Sequence, residues 1–139
     1  MKGLIGYPVG IDGDPMVGMP AHLVAEAMAG LGATIGNGIA ALDHSVPNAP
    51  PGHRLLLCVE MVCDIFVSFL TIHPYVDGNG HTARYVLWTI LSRFGFKTAI
   101  FTIEPRPLEK NYSQYIATYR SGQKLDLVKW VLGCFYTAP

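Results

Sequence analysis

The chain has 139 residues, half of them apolar and 14% charged, with ten acidic side chains balancing ten basic ones. That length makes one domain with apolar residues enough for a core, which sets disorder aside. A formal charge of zero argues against a nucleic-acid partner held by bulk electrostatics. The three cysteines, Cys58, Cys63 and Cys134, show neither metal-ligand nor disulfide-framework spacing, and read as buried, reduced thiols. No targeting signal is visible, so a cytoplasmic protein is expected, although a secreted effector would carry the same features.

Residues 1–19 are broken by Gly, Pro and two aspartates and read as an irregular segment, not a signal peptide. Residues 20–31, PAHLVAEAMAGL, open on proline and run up to Gly32, a helix between fitting terminal residues. Residues 33–42, ATIGNGIAAL, place Asn37-Gly38 between short apolar runs, the signal for a tight β-hairpin. These glycines lack the spacing and the Lys-Ser/Thr ending of a phosphate loop. Pro47, Pro50 and Pro51 make residues 43–52 a linker.

Residues 55–72, LLLCVEMVCDIFVSFLTI, have the length of a membrane span, but Glu60 and Asp64 sit four apart on one side of a helix and would be costly in lipid. A core helix with one wet edge is expected there, not a span. A polar loop follows, and then residues 81–94, HTARYVLWTILSRF, predict a helix with Tyr85, Leu87, Trp88 and Leu91 on its apolar face and Gly95 as its stop. Residues 97–103 read as extended. Two further amphipathic helices are expected over residues 108–121 and 125–136, with Gly122 between them. Trp88 and Trp130 stand at helical spacing among aliphatics and read as core, and His22, His44 and His53 have no supporting neighbours. The expected class is mainly α with a small β-hairpin.

The polar loop, HPYVDGNGHTAR over residues 73–84, concentrates unusual chemistry in an otherwise apolar chain. A helix beginning near Gly80 leaves its first N–H groups without intrahelical partners and its dipole end positive. Gly78 and Gly80 allow the backbone to approach a ligand closely, so Gly-Asn-Gly feeding a helix suits phosphate oxygens. Arg84, one turn on, can add a charge-assisted contact to the same anion. Asp77 offers a hard oxygen for Mg²⁺, which binds through one or two carboxylates plus substrate phosphates. His73, stiffened by Pro74, is of the type that serves as a general base. Each residue alone has a bland reading: a helix-end histidine, two common turns, a solvated arginine. A base, a metal-type acid, an anion nest and a phosphate-type cation in that order require all the bland readings to coincide.

The segment resembles the signature of the Fic (Fic/Doc) family, H-P-F-x-D/E-G-N-G-R-x-x-R. Residues 33–36 followed by Pro50-Pro51 are similar to the family's flap hairpin and trailing prolines, and NYSQYIATYRSGQKLDLVKWV is similar to its closing helices. The likeness covers residues 33–135 of a single domain. It implies a Fic-like helical bundle with a hairpin flap, and Mg²⁺-dependent transfer of AMP from ATP onto a Tyr, Ser or Thr hydroxyl of a target protein. On that carry-over His73 deprotonates the hydroxyl, Asp77 holds Mg²⁺, and Gly78, Asn79 and Gly80 bind the α- and β-phosphates. Arg84 then meets the outer phosphate, with His81 in the same nucleotide-binding set. The flap, with Ile35 and Gly36, aligns the target by main-chain pairing, and Asn111 and Tyr112 line the nucleoside pocket.

Two positions depart from the signature. Tyr75 replaces phenylalanine, a mild change. His81 replaces the first arginine, offering at most two donors and, as histidines do, a charge that fades near neutral pH. The consequences open at this point are weaker triphosphate binding, a changed donor (including a phosphoryl or phosphocholine-type transfer), or a domain that binds nucleotide without turning it over. The family's inhibitory pattern, S/T-x-x-x-E-G/N, is not found, and Glu26, Glu60, Glu104 and Glu109 all lack its neighbours. Three readings stay open: a separate antitoxin-like partner supplies the inhibition, the inhibitory helix lies in a segment outside this sequence, or the domain is unrestrained.

Overall fold

The computed structural model describes residues 18–135, which hold five helices and no β-strand: α1 (Ala21–Asn48), α2 (Pro51–Ile72), α3 (Asn79–Arg93), α4 (Tyr112–Arg120) and α5 (Leu125–Phe135). The mainly α class is therefore correct. The irregular reading of residues 1–17 lies outside the described residues.

The bundle is organised around α2, against which α1, α3, α4 and α5 all pack. Pro50 sits at its N-cap and Pro51 in its first turn, where a missing N–H removes no intrahelical bond. Ten of its residues are buried, from Leu55 to Ile72. Its exposed side chains Leu56, Glu60, Asp64 and Ser68 follow one another at intervals of four, the single wet edge expected of it. By length and composition α1 and α2 could each cross a membrane, but more than half of the apolar window of α2 is buried inside the bundle. Cys58, Cys63 and Cys134 are free and buried, and burial pushes the Cys58 and Cys134 thiols up to about 11. They are protonated fillers of the core.

Residues 33–42 correct the sequence reading. They are helical, in the middle of the 28-residue α1, so the hairpin flap is not at Ile35 and Gly36, nor does a linker begin at residue 43. The reason is tertiary. Val24, Leu31, Leu42 and Val46 are buried, with Met28, Ile35 and Ile39 packed beside them, and together they form a helical stripe along α2. Gly38 serves packing here instead of a turn, because a Cβ at that position would collide with the Met61 sulfur of α2. Pro47 is tolerated in the last turn, and the break predicted from prolines falls at Ala49–Pro50. Arg54 holds that corner, donating from Nε to the Ala49 carbonyl at 3.1 Å and from Nη2 to that of Pro47 at 3.3 Å.

The same helix carries a paired test. Nothing lies within 4 Å of a Cβ added at Gly36. Gly36→Ala is expected to stabilise the fold by about 0.5–1 kcal/mol through helix propensity. At Gly38 the Met61 thioether must move to admit the methyl, and Gly38→Ala is expected to stabilise less than Gly36→Ala. Chemical-denaturation midpoints read both, and a rise at Gly38 equal to that at Gly36 would contradict the close helix approach.

Beyond α3, residues 97–103 form no strand but deliver Phe101 into the core, fully buried against Phe66 at 6.3 Å and Trp130 at 5.5 Å between ring centroids. Helix α4 starts at Tyr112, four residues later than expected. Pro105 and Pro107 interrupt the pattern, and Leu108, at 94% exposure, has no core contact to nucleate a turn.

Candidate functional site

The loop between α2 and α3 is built by two left-handed residues and one buried amide. His73 terminates α2 at φ 50°, ψ 61°, with its N–H bonded to the Phe69 carbonyl at 3.0 Å. Non-glycine residues rarely hold this conformation, and buried Pro74 and the neighbouring Tyr75, whose ring lies 6.4 Å from Phe69, anchor it. Gly78, at φ 78°, then redirects the chain into α3. Asn79 closes the loop: its Oδ1 accepts from the Tyr75 N–H at 3.0 Å and its Nδ2 donates to the Tyr75 carbonyl at 2.8 Å. These two bonds fix which end of the amide faces His73.

That end is the donor. Asn79 Nδ2 stands 3.3 Å from His73 Nε2, so Nε2 is the acceptor and the neutral ring carries its proton on Nδ1. His73 is 6% exposed, and its Nδ1 has no hydrogen-bond partner among the described residues. Burial lowers the His73 pKa below the ordinary histidine value, because the imidazolium is poorly solvated there. The ring is thus a neutral base whose lone pair is engaged only by a long bond.

Beside it α3 begins without a side-chain cap, its first turn closing from the Thr82 N–H to the Gly78 carbonyl at 3.0 Å. The N–H groups of Asn79, Gly80 and His81 have no intrahelical partner, and the helix dipole is positive there. Arg84 lies back over this turn. A Cβ on Gly80 would come 2.8 Å from Arg84 Nη1, so the glycine is what admits the guanidinium. Arg84 is 5% exposed, donating from Nε to the Ile103 carbonyl at 2.8 Å and from Nη2 to Glu104 Oε1 at 3.4 Å. Those two bonds hold the guanidinium directly in the way of a Cβ at residue 80. Gly80→Ala is therefore expected to displace it and weaken anion binding by about tenfold, measurable by calorimetric titration with inorganic pyrophosphate. Unchanged affinity would separate Arg84 from the cradle.

The structure brings His73, Asn79, Gly80, His81 and Arg84 together. Asp77 is exposed in the turn before Gly78, two residues ahead of the first residue of α3. No cluster of three or more His, Cys, Asp or Glu side chains occurs among the described residues. One carboxylate beside an anion nest fits Mg²⁺ that arrives on phosphate oxygens, not a pre-built protein cage. Asn111 is exposed at the N-terminus of α4, whereas Tyr112, at 4% exposure, is packed in the aromatic core against Phe66 and Trp130. Ile35 and Gly36 lie within α1.

Two features escaped the sequence reading. Glu104 accepts from His81 Nδ1 at 2.8 Å as well as from Arg84, and its carboxyl is held below the usual range, chiefly by the His81 bond. A cleft of about 360 Å³ also runs between α2 and α4, bounded by Asp64, Ser68, Thr71, Ile72, Tyr119 and Arg120. In it Tyr119 donates to Asp64, and Arg120 Nε donates to Thr71 Oγ1 at 3.0 Å. One of its lining residues, Ile72, directly precedes His73 in the chain. A wet edge on α2 was the only local signal for it.

The Fic/DOC family model matches residues 21–91, which span α1, α2, the loop and most of α3. A protein adenylyltransferase Fic of Nematostella vectensis is 35% identical over 81 residues, 58% of this chain and 18% of that protein. Proteins of the same name from Drosophila virilis and Drosophila melanogaster are each 32% identical over 63 residues, 45% of this chain and 12% of theirs. The chain thus spans less than a fifth of the length of these relatives. No solved structure matches it. A match over just over half the chain, which takes in the loop that carries its chemistry, makes this protein a member of the Fic/DOC family.

Proposed function

We propose that this domain transfers a nucleoside monophosphate, AMP with ATP as the parent donor, onto a Tyr, Ser or Thr hydroxyl of a target protein, with Mg²⁺ accompanying the nucleotide. Nucleotide transfer in general is what the family and the name of its relatives support. The observation that carries the finer reading is the neutral, buried His73 next to an uncapped helix N-terminus under Arg84.

In this reading the N–H groups of Asn79, Gly80 and His81 hold the inner phosphates, and Arg84 faces the outer side of the same anion. Mg²⁺, shared between Asp77 and the phosphates, would neutralise charge. The target hydroxyl gives its proton to His73 Nε2, whose 3.3 Å bond from Asn79 is long enough to yield. Its oxygen forms a bond to the α-phosphorus, and the bond from that phosphorus to the bridging oxygen breaks, the leaving pyrophosphate taking the electron pair. Little covalent chemistry is asked of the protein; it positions the partners and spreads charge.

The test is incubation of the protein with Mg²⁺, a cell lysate and ATP labelled either on the α- or on the γ-phosphate. Transfer of the α-label onto protein supports nucleotidylation. Transfer of only the γ-label would replace it with phosphorylation, and nucleotide binding with no transfer of either label would leave a binding module.

A further inference from the structure

Thr71, two residues before His73, is held from two distant parts of the chain. Its carbonyl accepts from the Gly18 N–H at 2.7 Å, and its Oγ1 accepts from Arg120 Nε at 3.0 Å. Thr71 and Arg120 both line the cleft between α2 and α4, so Gly18 meets the fold at the edge of that cleft. Gly18 takes the left-handed conformation at φ 89°, and Met19 after it packs against the core. Seventeen residues of sequence precede this point. The cleft offers them apolar Val67 and Ile72 and the cation Arg120, whose charged form is disfavoured by burial. Its other charged group, Asp64, is bound by Tyr119 and by Lys124. Past Asp64 and Tyr119 a second hollow of about 410 Å³ continues along Glu60, Leu125 and Val128.

We propose that the cleft between α2 and α4 is the docking groove for this chain's own residues 9–17, with Asp14 paired to Arg120 and the apolar side chains on either side seated along α2. Asp14 lies four residues before Gly18, a reach of at most about 14 Å, and Thr71 ties Gly18 and Arg120 to one residue. A carboxylate there offsets the cost of withdrawing the guanidinium from water. Val9, Ile11, Met16 and Val17 supply the apolar side chains, and Pro8 and Pro15 with the intervening glycines favour an extended course over a helix. The length also fits. From Thr71 to Glu60 the two hollows follow α2 for about 17 Å, and nine extended residues span about 30 Å. Seated in this way, the segment braces the end of α2 and hence the base of the loop that carries His73. The inference stands apart from the nucleotide-transfer reading and does not depend on it.

The experiment is paramagnetic relaxation of backbone amides in the full chain carrying one nitroxide on Gly10→Cys. The three native cysteines are buried with raised pKa values, so the label goes to the new thiol alone. The amides of Ser68, Thr71, Tyr119 and Arg120 are expected to broaden. That of Arg93, which pairs with Asp43 near the opposite end of α1, is expected to stay sharp. Labelled chain mixed with unlabelled, isotope-enriched chain is expected to give no broadening. Arg120→Glu is expected to reduce the effect by about threefold or more, and Asp14→Arg in that background to restore it. Cleft amides no broader than that of Arg93 would overturn the proposal and leave the groove to another partner, and that comparison needs no change in the groove. Broadening in the mixture equal to that within one chain would overturn it in favour of a second copy. Broadening unaltered by Arg120→Glu would remove the charge pairing, and with it the proposal.

Discussion

Replacing His73 with alanine is expected to reduce transfer of an α-labelled phosphate by about 100-fold or more, with nucleotide affinity changed by less than about threefold. On the proposed mechanism the ring takes the proton, whereas the phosphates are held by the uncapped start of α3 and by Arg84. Its protonation sets the pH profile. Burial lowers the His73 pKa below the histidine value of 6.5, and the neutral form is the base. As pH falls, the ring is therefore still neutral at 6.5 and takes up its proton only in more acidic solution. Transfer should be near its plateau at neutrality and half-maximal somewhere below 6.5. A half-maximal point above that value, or substantial transfer by His73→Ala, would falsify the general-base assignment.

Asn79→Ala is expected to be the most damaging single change to the architecture of the site. The amide supplies both hydrogen bonds to the Tyr75 backbone and the contact that selects the His73 tautomer. Removing it leaves a part-buried N–H and carbonyl without partners, at about 1–3 kcal/mol each, or about 3 kcal/mol in all. For a chain of this length that lowers the melting temperature by about 10 °C. Transfer should fall by about 100-fold as His73 loses its orientation. Asn79→Asp offers a finer check. It retains an acceptor for the Tyr75 N–H but places a carboxylate beside Nε2, which favours the imidazolium, so its pH profile should move upward. A variant Asn79→Ala with unaltered melting and unaltered pH dependence would show that the amide does not organise the loop.

The legible and illegible parts of this chain divide by range of interaction. Helix α2 was readable because its wet edge, Glu60, Asp64 and Ser68, repeats at one spacing among apolar neighbours. The start of α3 was readable because glycines around an asparagine dictate backbone geometry locally. Residues 33–42 misled because Asn37-Gly38 is a strong turn signal within a few residues, while the stripe from Val24 to Val46 that overrides it becomes visible only over about six turns. Tyr112 opens a helix as its local sequence suggests, but its packing against the rings of Phe66 and Trp130 has no local signal.

By itself, then, the sequence determined the mainly α class and the chemical inventory of the loop: a base, an acid, an anion nest and an arginine within twelve residues. Those properties depend on side-chain identity and on φ and ψ at neighbouring positions, which a short stretch specifies. Only the tertiary structure decided that α1 is continuous, that Asn79 fixes the tautomer of His73, and that Glu104 faces Arg84 from twenty residues away. Each of those is set by what the packed helices bring into contact, and a carboxylate so far along the chain has no local signature of the cation it meets.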